Sequence, residues 1–178
     1  MTKTQTTKEL LLHHGQRLFW ARGYSNVPVR EIAKAAGVDV ALISRYFGSK
    51  RGLFEATLGP IEGIDAAALA DEAALTDMLV HLFATAPRGP DHPSALTMIL
   101  MNSRDGDVGD LVRDFVQSKF QGPMEAIIGD RDRAALFTAV LFGVSVAEKF
   151  LHLEGIAEPN SPAYERQLRQ LIAAALAY

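Results

Sequence analysis

Apolar positions recur along nearly the whole chain at helical spacing, and no stretch alternates as a strand would. Leu11, Gly15, Leu18 and Phe19 make one face of a first helix. Thr6 and Glu9 open it at capping-box spacing, and Gly23 closes it. Val29, Ile32, Ala33 and Ala36 fall at i, i+3, i+4 and i+7, an apolar stripe on a second, short helix. Gly37 follows where a left-handed residue ends a helix without steric cost. Asp39 is placed to cap a third helix, with Val38 and Ile43 at the hydrophobic-staple positions. In that helix Leu42, Ile43, Tyr46 and Phe47 point one way and Val40, Ala41, Ser44 and Arg45 the other. Gly48 ends it, and Ser49 can cap the next. Trp20 lies off the first helix's buried face; so large a ring is expected to pack against the helix after Lys50.

Beyond Lys50 the pattern stays helical. A connecting helix is expected from Arg51, weakened or kinked at Gly59-Pro60 because proline removes an intrahelical bond. The run Ala66 to Leu69 forms helix readily but specifies little packing. Further helices are expected near 71–85, 94–103, 108–128, 131–153 and 162–177, separated by APRGPDHPS, RDGD, GD and EGIAEPNSP. The expected fold class is all-α with about nine helices. It divides into a three-helix helix-turn-helix domain at 1–50 and a larger helical domain at 51–178.

The last two helices carry a second signal. From Ala134 to Leu151 apolar residues occupy nearly every face, and a helix apolar all round is covered on all sides. The final helix sets Leu168, Leu171, Ile172 and Leu176 among alanines, which allow close approach of another helix. Part of the cover is expected from a second copy of the chain; the competing expectation is a pair of core helices in a monomer.

Charge sharpens the division. Up to Lys50 the chain carries Lys3, Lys8, Arg17, Arg22, Arg30, Lys34, Arg45 and Lys50 against Glu9, Glu31 and Asp39, a balance of +5. The whole chain is −3, which leaves −8 for the rest. A basic end on an acidic body fits a head that meets DNA and a core that does not. Cysteine is absent, which excludes disulfides and thiolate metal sites. The N-terminus MTKTQTTKELL has no signal-peptide apolar run, and no 18-residue apolar stretch suggests a membrane span. A soluble, cytoplasmic protein with no membrane partner is expected.

Two basic residues stand in first turns, Arg30 and Lys50. Each opposes the helix dipole, a cost of a few tenths of a kcal/mol. A phosphate docked on the free N–H groups removes the conflict. The stretch from Gly23-Tyr24 through Val29-Arg30-Glu31-Ile32-Ala33, Ala36-Gly37-Val38 and Tyr46-Phe47 to Ser49-Lys50 and Leu53-Phe54 closely resembles the DNA-binding domain of the TetR family of transcriptional regulators. The resemblance covers roughly residues 5 to 55. There are two departures. Pro28 stands where the family usually has Thr or Ser, which leaves Asn26 as the candidate cap of the second helix. Ala41-Leu42 and Ile43 replace the family's frequent Gly-Thr or Gly-Ser pair with a Tyr.

The resemblance implies a homodimer held by a four-helix bundle of the last two helices, bound to a near-palindromic double-stranded operator. It implies a repressor released when a small molecule enters the C-terminal domain, through the helix after Lys50; the composition of Gly59-Pro60 makes that pair the expected flexible point. Arg30, Tyr46 and Lys50 are the expected phosphate contacts; Val40, Ala41, Ser44 and Arg45 face the bases. The candidate effector lining is Phe83, Met98, Met101, Phe115, Phe120, Met124, Phe137 and Leu141, with Asn102 and Ser145 as polar handles. So apolar a lining suits a hydrophobic effector. Met and Phe at helical spacing also make plain core, so a closed, effector-independent DNA-binding dimer is the alternative.

Catalysis is the competing class. His13 and His14 are adjacent and face different ways, and His81, His92 and His152 have no partner at metal-ligand or acid–base spacing. Asp105, Asp107 and Asp110 resemble part of a calcium loop but lack its glycine and terminal Glu. No phosphate loop or nucleophile elbow is present. A helical enzyme carrying a DNA-binding head is therefore disfavoured, and no cofactor or metal is expected.

Overall fold

The computed structural model describes residues 6–59, 69, 71–86 and 93–177. Among these every regular element is helical: α1 (Thr7–Arg22), α2 (Val29–Ala36), α3 (Ala41–Phe47), α4 (Lys50–Thr57), α5 (Glu72–Thr85), α6 (Ala95–Asn102), α7 (Gly109–Val116), α8 (Gly122–Ile128), α9 (Arg131–Lys149) and α10 (Pro162–Leu176). A π-helical turn, Gln117–Gln121, links α7 to α8 without a loop, so the expected helix at 108–128 is present with one irregularity. Pro123 explains it: the ring removes a donor and crowds the carbonyl of Lys119, four residues back. The N–H of Gly122 reaches Gln117 instead, an i to i+5 bond. No helix among the described residues is long and apolar enough to cross a membrane.

The described residues group into two compact units. The first draws on Met1–Pro60 and Arg88–Phe115, the second on Ile61–Pro87 and Val116–Tyr178. The first unit therefore joins α1 to α4 with α6 and α7, a wider grouping than residues 1–50. Three rings form its centre: Phe19, Tyr24 and Phe54 lie with centroids 5.5 to 5.6 Å apart. Phe19 and Phe54 are fully buried, each stabilising the unit by about 1.5–3 kcal/mol relative to exposure. Trp20 is buried against α4, its Nε1 donating to the Thr57 hydroxyl at 3.2 Å. The N-terminal capping box of α1 is complete, with Thr6 and Glu9 each bonded to the other's backbone.

The expected cap of α2 is corrected. Asn26 does not serve it; its Nδ2 donates to the Arg22 carbonyl at 2.8 Å and closes the end of α1. Pro28 precedes α2 in extended conformation with no side-chain cap, and its carbonyl accepts the Glu31 N–H. Gly37 closes α2 at φ +68° as expected, a region costly for any residue with a Cβ. α4 ends at Thr57, short of Gly59. The expected kink and flexible point at Pro60, and Ala66 to Ala68, lie outside the described residues, as does His92.

In the second unit Leu75, Met124, Phe137, Tyr164, Leu168 and Ile172 belong to one buried cluster. α9 stops at Lys149 rather than near 153: the Leu151 N–H reaches back five residues to the Val146 carbonyl, out of the α-helical ladder, and His152 takes φ +47°. α9 buries Ala134, Phe137, Thr138, Leu141 and Ser145 on one side, while Leu136 stays half exposed on another. Leu171 of α10 is also exposed.

Candidate nucleic-acid interface

The outward row expected on α3 is outward. Val40, Ala41, Ser44 and Arg45 are all exposed, while Ile43 is 2% exposed and anchors the helix. Tyr46 departs from the expected inward set: it is exposed and stands edge-on to Phe47. Asp39 caps the helix by accepting the Ala41 N–H at 2.7 Å, and Val40 already has helical geometry. Arg30, in the first turn of α2, is exposed.

The first turn of α4 is held against the end of α3 by two devices. Ser49 accepts the Gly52 N–H at 3.0 Å. Gly52 itself has no alternative, since a Cβ there would stand 2.1 Å from the Phe47 carbonyl oxygen. Nothing in the local spacing of the sequence singles this glycine out; the requirement comes from the approach of the two helices.

Lys50 lies in the first turn of α4 as expected, but its side chain turns inward. Its Nζ lies 4.2 Å from the centroid of the Tyr24 ring, a cation–π contact. Burial lowers the Lys50 ammonium from its ordinary value, while Asp105 and Asp107 act in the opposite sense. Burial pushes Tyr24 up, and Asp107 and Asp105 add to that. Arg51 is held more firmly. It donates to both carboxylate oxygens of Asp110, at 3.1 and 2.8 Å, and to the Asp107 carbonyl. The Arg51 bonds, with the Leu111 N–H, bring the Asp110 carboxyl down to about 2. Burial pushes Asp105 up, but the Ser25 hydroxyl, the N–H groups of Asp107 and Val108 and the Lys50 charge outweigh it and leave it lowered. Ser25 donates to Asp105 at 2.6 Å. A cleft of about 690 Å³ opens among Tyr24, Arg51, Asp105, Asp107, Asp110 and Arg113. The RDGDVGD acids thus bond to the head's own cations, hydroxyl and backbone.

The candidate effector residues divide between the two units. Met98, Met101, Asn102 and Phe115 belong to the first unit; Phe83, Phe120, Met124, Phe137, Leu141 and Ser145 belong to the second. Met101 is half exposed. Asn102 is fully buried, with its amide spent on the Tyr24 N–H and on the carbonyls of Met98 and Phe19. In the second unit Met124, Phe137 and Leu141 pack in one cluster with Phe83 against it, Ser145 is buried, and Phe120 stacks edge-on with Phe142.

Residues 11–57 match the bacterial regulatory proteins of the tetR family, and residues 72–176 match the tetracyclin repressor-like C-terminal domain. The probable HTH-type transcriptional regulator YttP of Bacillus subtilis (strain 168) is 48% identical over 50 residues, 28% of this chain and 24% of that protein. The HTH-type transcriptional regulator TcmR of Streptomyces glaucescens is 38% identical over 68 residues, 38% of this chain and 29% of that protein. These matches therefore span less than a third of either relative. Among solved structures, NalD of Pseudomonas aeruginosa, the secondary repressor of the MexAB-OprM multidrug efflux pump, superposes with a TM-score of 0.71 over 95% of both chains at 16% identity. AmtR of Mycobacterium smegmatis superposes with a TM-score of 0.58 over 99% of this chain and 95% of that one at 19% identity. At such identities the likeness is one of fold.

Proposed function

Because the chain belongs to the TetR family of bacterial regulatory proteins, a family of transcriptional regulators rather than enzymes, we propose that it represses transcription as a homodimer on a near-palindromic operator. The observation that carries the reading is the row Val40, Ala41, Ser44 and Arg45, exposed along α3 while Ile43 fixes that helix to the head. Small side chains at its start admit the backbone to a major groove, and Arg45 brings a guanidinium to the guanine edge it pairs with best. Arg30, Tyr46 and Lys50 take the flanking phosphates.

Dimerisation is supported by the half-exposed Leu136 on α9 and the exposed Leu171 on α10. Leu136 lies opposite the buried side of α9, and Leu171 lies at the edge of the buried stripe of α10. Static light scattering tests it: a mass near twice 19.3 kDa is expected, and one near 19.3 kDa overturns the dimer.

Release follows when a small hydrophobic effector enters the second unit among Phe83, Met124, Phe137 and Leu141. The burial of Met124 and Phe137 also favours a second reading, a closed core with no effector. Thermal shifts across a panel of hydrophobic compounds separate the two. Concentration-dependent stabilisation supports the sensor; none across the panel supports the closed core. The protein works with DNA in the cytoplasm.

A further inference from the structure

We propose that the acidic loop between α6 and α7 competes with DNA phosphate for the cations at the start of α4, so that Lys50 must leave its inward position over Tyr24, against the charge of the loop, before it can hold DNA. This rests on the reading of Lys50 as a phosphate contact.

Three observations meet at one place. The Lys50 ammonium points inward, over the ring of Tyr24, a residue only 6% exposed. Asp105 and Asp107 act on that ammonium through their charge. Its neighbour Arg51 is bonded to Asp110 and the Asp107 carbonyl, which ties the same loop to the same helix turn. The arrangement presents to the first turn of α4 what a DNA backbone presents: carboxylate oxygens in place of phosphate oxygens, bonded to the Arg51 guanidinium, with further carboxylate charge acting on the Lys50 ammonium.

A cation cannot satisfy both at once. For Lys50 to reach a phosphate outside the head, its Nζ has to leave the ring and move away from the two carboxylates. The free energy of that exchange subtracts from DNA affinity whatever the base sequence, because phosphate contacts carry no sequence information. Asp105 is fixed by Ser25 and by the backbone N–H of Asp107, so the carboxylate stays in place when the lysine moves. Any event that draws this loop away from α4 would therefore raise DNA affinity through charge alone, with no change in the helix that reads the bases.

The test is a double-mutant cycle on affinity for a random-sequence duplex, read by fluorescence anisotropy. Four full-length proteins are compared: the parent, Asp105→Asn/Asp107→Asn, Lys50→Ala and the combination. Asparagine keeps an acceptor for Ser25 and the turn N–H groups, and a thermal melt of each protein verifies its fold. Neutralising the loop is expected to tighten binding roughly two- to five-fold when Lys50 is present, and clearly less when it is alanine. An equal gain in both backgrounds means that only net charge changed and overturns the competition. A loss of affinity on neutralising the loop overturns it too, because the loop would then be holding α4 in its DNA-binding pose. If Lys50→Ala alone leaves affinity unchanged, the phosphate reading of Lys50 fails, and the competition falls with it.

Discussion

The side-chain oxygen of Asn102 accepts the backbone N–H of Tyr24 at 2.6 Å, joining the last residue of α6 to the turn after α1. The same amide donates to Met98 of its own helix and to Phe19 of α1, so one fully buried side chain closes three backbone groups. Asn102→Ala leaves the Tyr24 N–H buried without that partner. A loss of about 1–3 kcal/mol is expected in urea unfolding. A change within a few tenths would mean that water replaces the amide.

Thr57 serves Trp20 in a similar way. Its hydroxyl accepts the indole N–H at 3.2 Å and donates to the Phe54 carbonyl at 2.6 Å. Thr57→Val keeps the shape and removes both bonds, and about 1–2 kcal/mol of stability should go with them. Trp20 is the only tryptophan, so its fluorescence reports unfolding of this unit directly. An unaltered denaturation midpoint would show the bonds to be dispensable.

Arg45→Ala should weaken operator binding by about 1–3 kcal/mol if the guanidinium reads a base edge. Binding to random DNA should change far less. Equal losses on both would reassign Arg45 to a phosphate, and no loss would remove it from the interface.

The Arg51–Asp110 pair gives a pH signature. The Asp110 carboxyl is lowered in the folded protein from 3.8 to about 2. Its contribution to stability is therefore complete above the unfolded value and disappears as the pH falls from 3.8 towards 2. Asp110→Asn should melt below the parent at pH 6 and converge with it near the bottom of that window. The pair is exposed, so added salt should shrink the difference. A gap that persists unchanged to low pH would contradict this account.

What the sequence made legible was local. The capping box of α1, Gly37 after the stripe on α2, and the split of α3 between Ile43 and the row Val40, Ala41, Ser44 and Arg45 all depend on residues within a turn or two of each other. What stayed hidden depends on distant parts of the chain. Asn102 and Tyr24 are 78 positions apart, and Arg51 and Asp110 are 59 apart. No periodicity announces such partners, so Asn102 read as a polar handle for an effector and the RDGDVGD acids as plain loop. Gly52 was invisible for the same reason, since only the close approach of α4 to Phe47 demands it. Asn26, a candidate cap for α2 in the sequence, is spent in the structure on the Arg22 carbonyl at the end of α1.

The central claim is that exposed side chains of α3 read DNA in two symmetry-related copies. Selection of bound duplexes from a random pool by the purified protein tests it most directly. The expected result is an enriched inverted repeat whose half-site sequence changes when Ala41, Ser44 or Arg45 is substituted. Enrichment of a motif with no two-fold symmetry, or one indifferent to those three positions, would contradict the account.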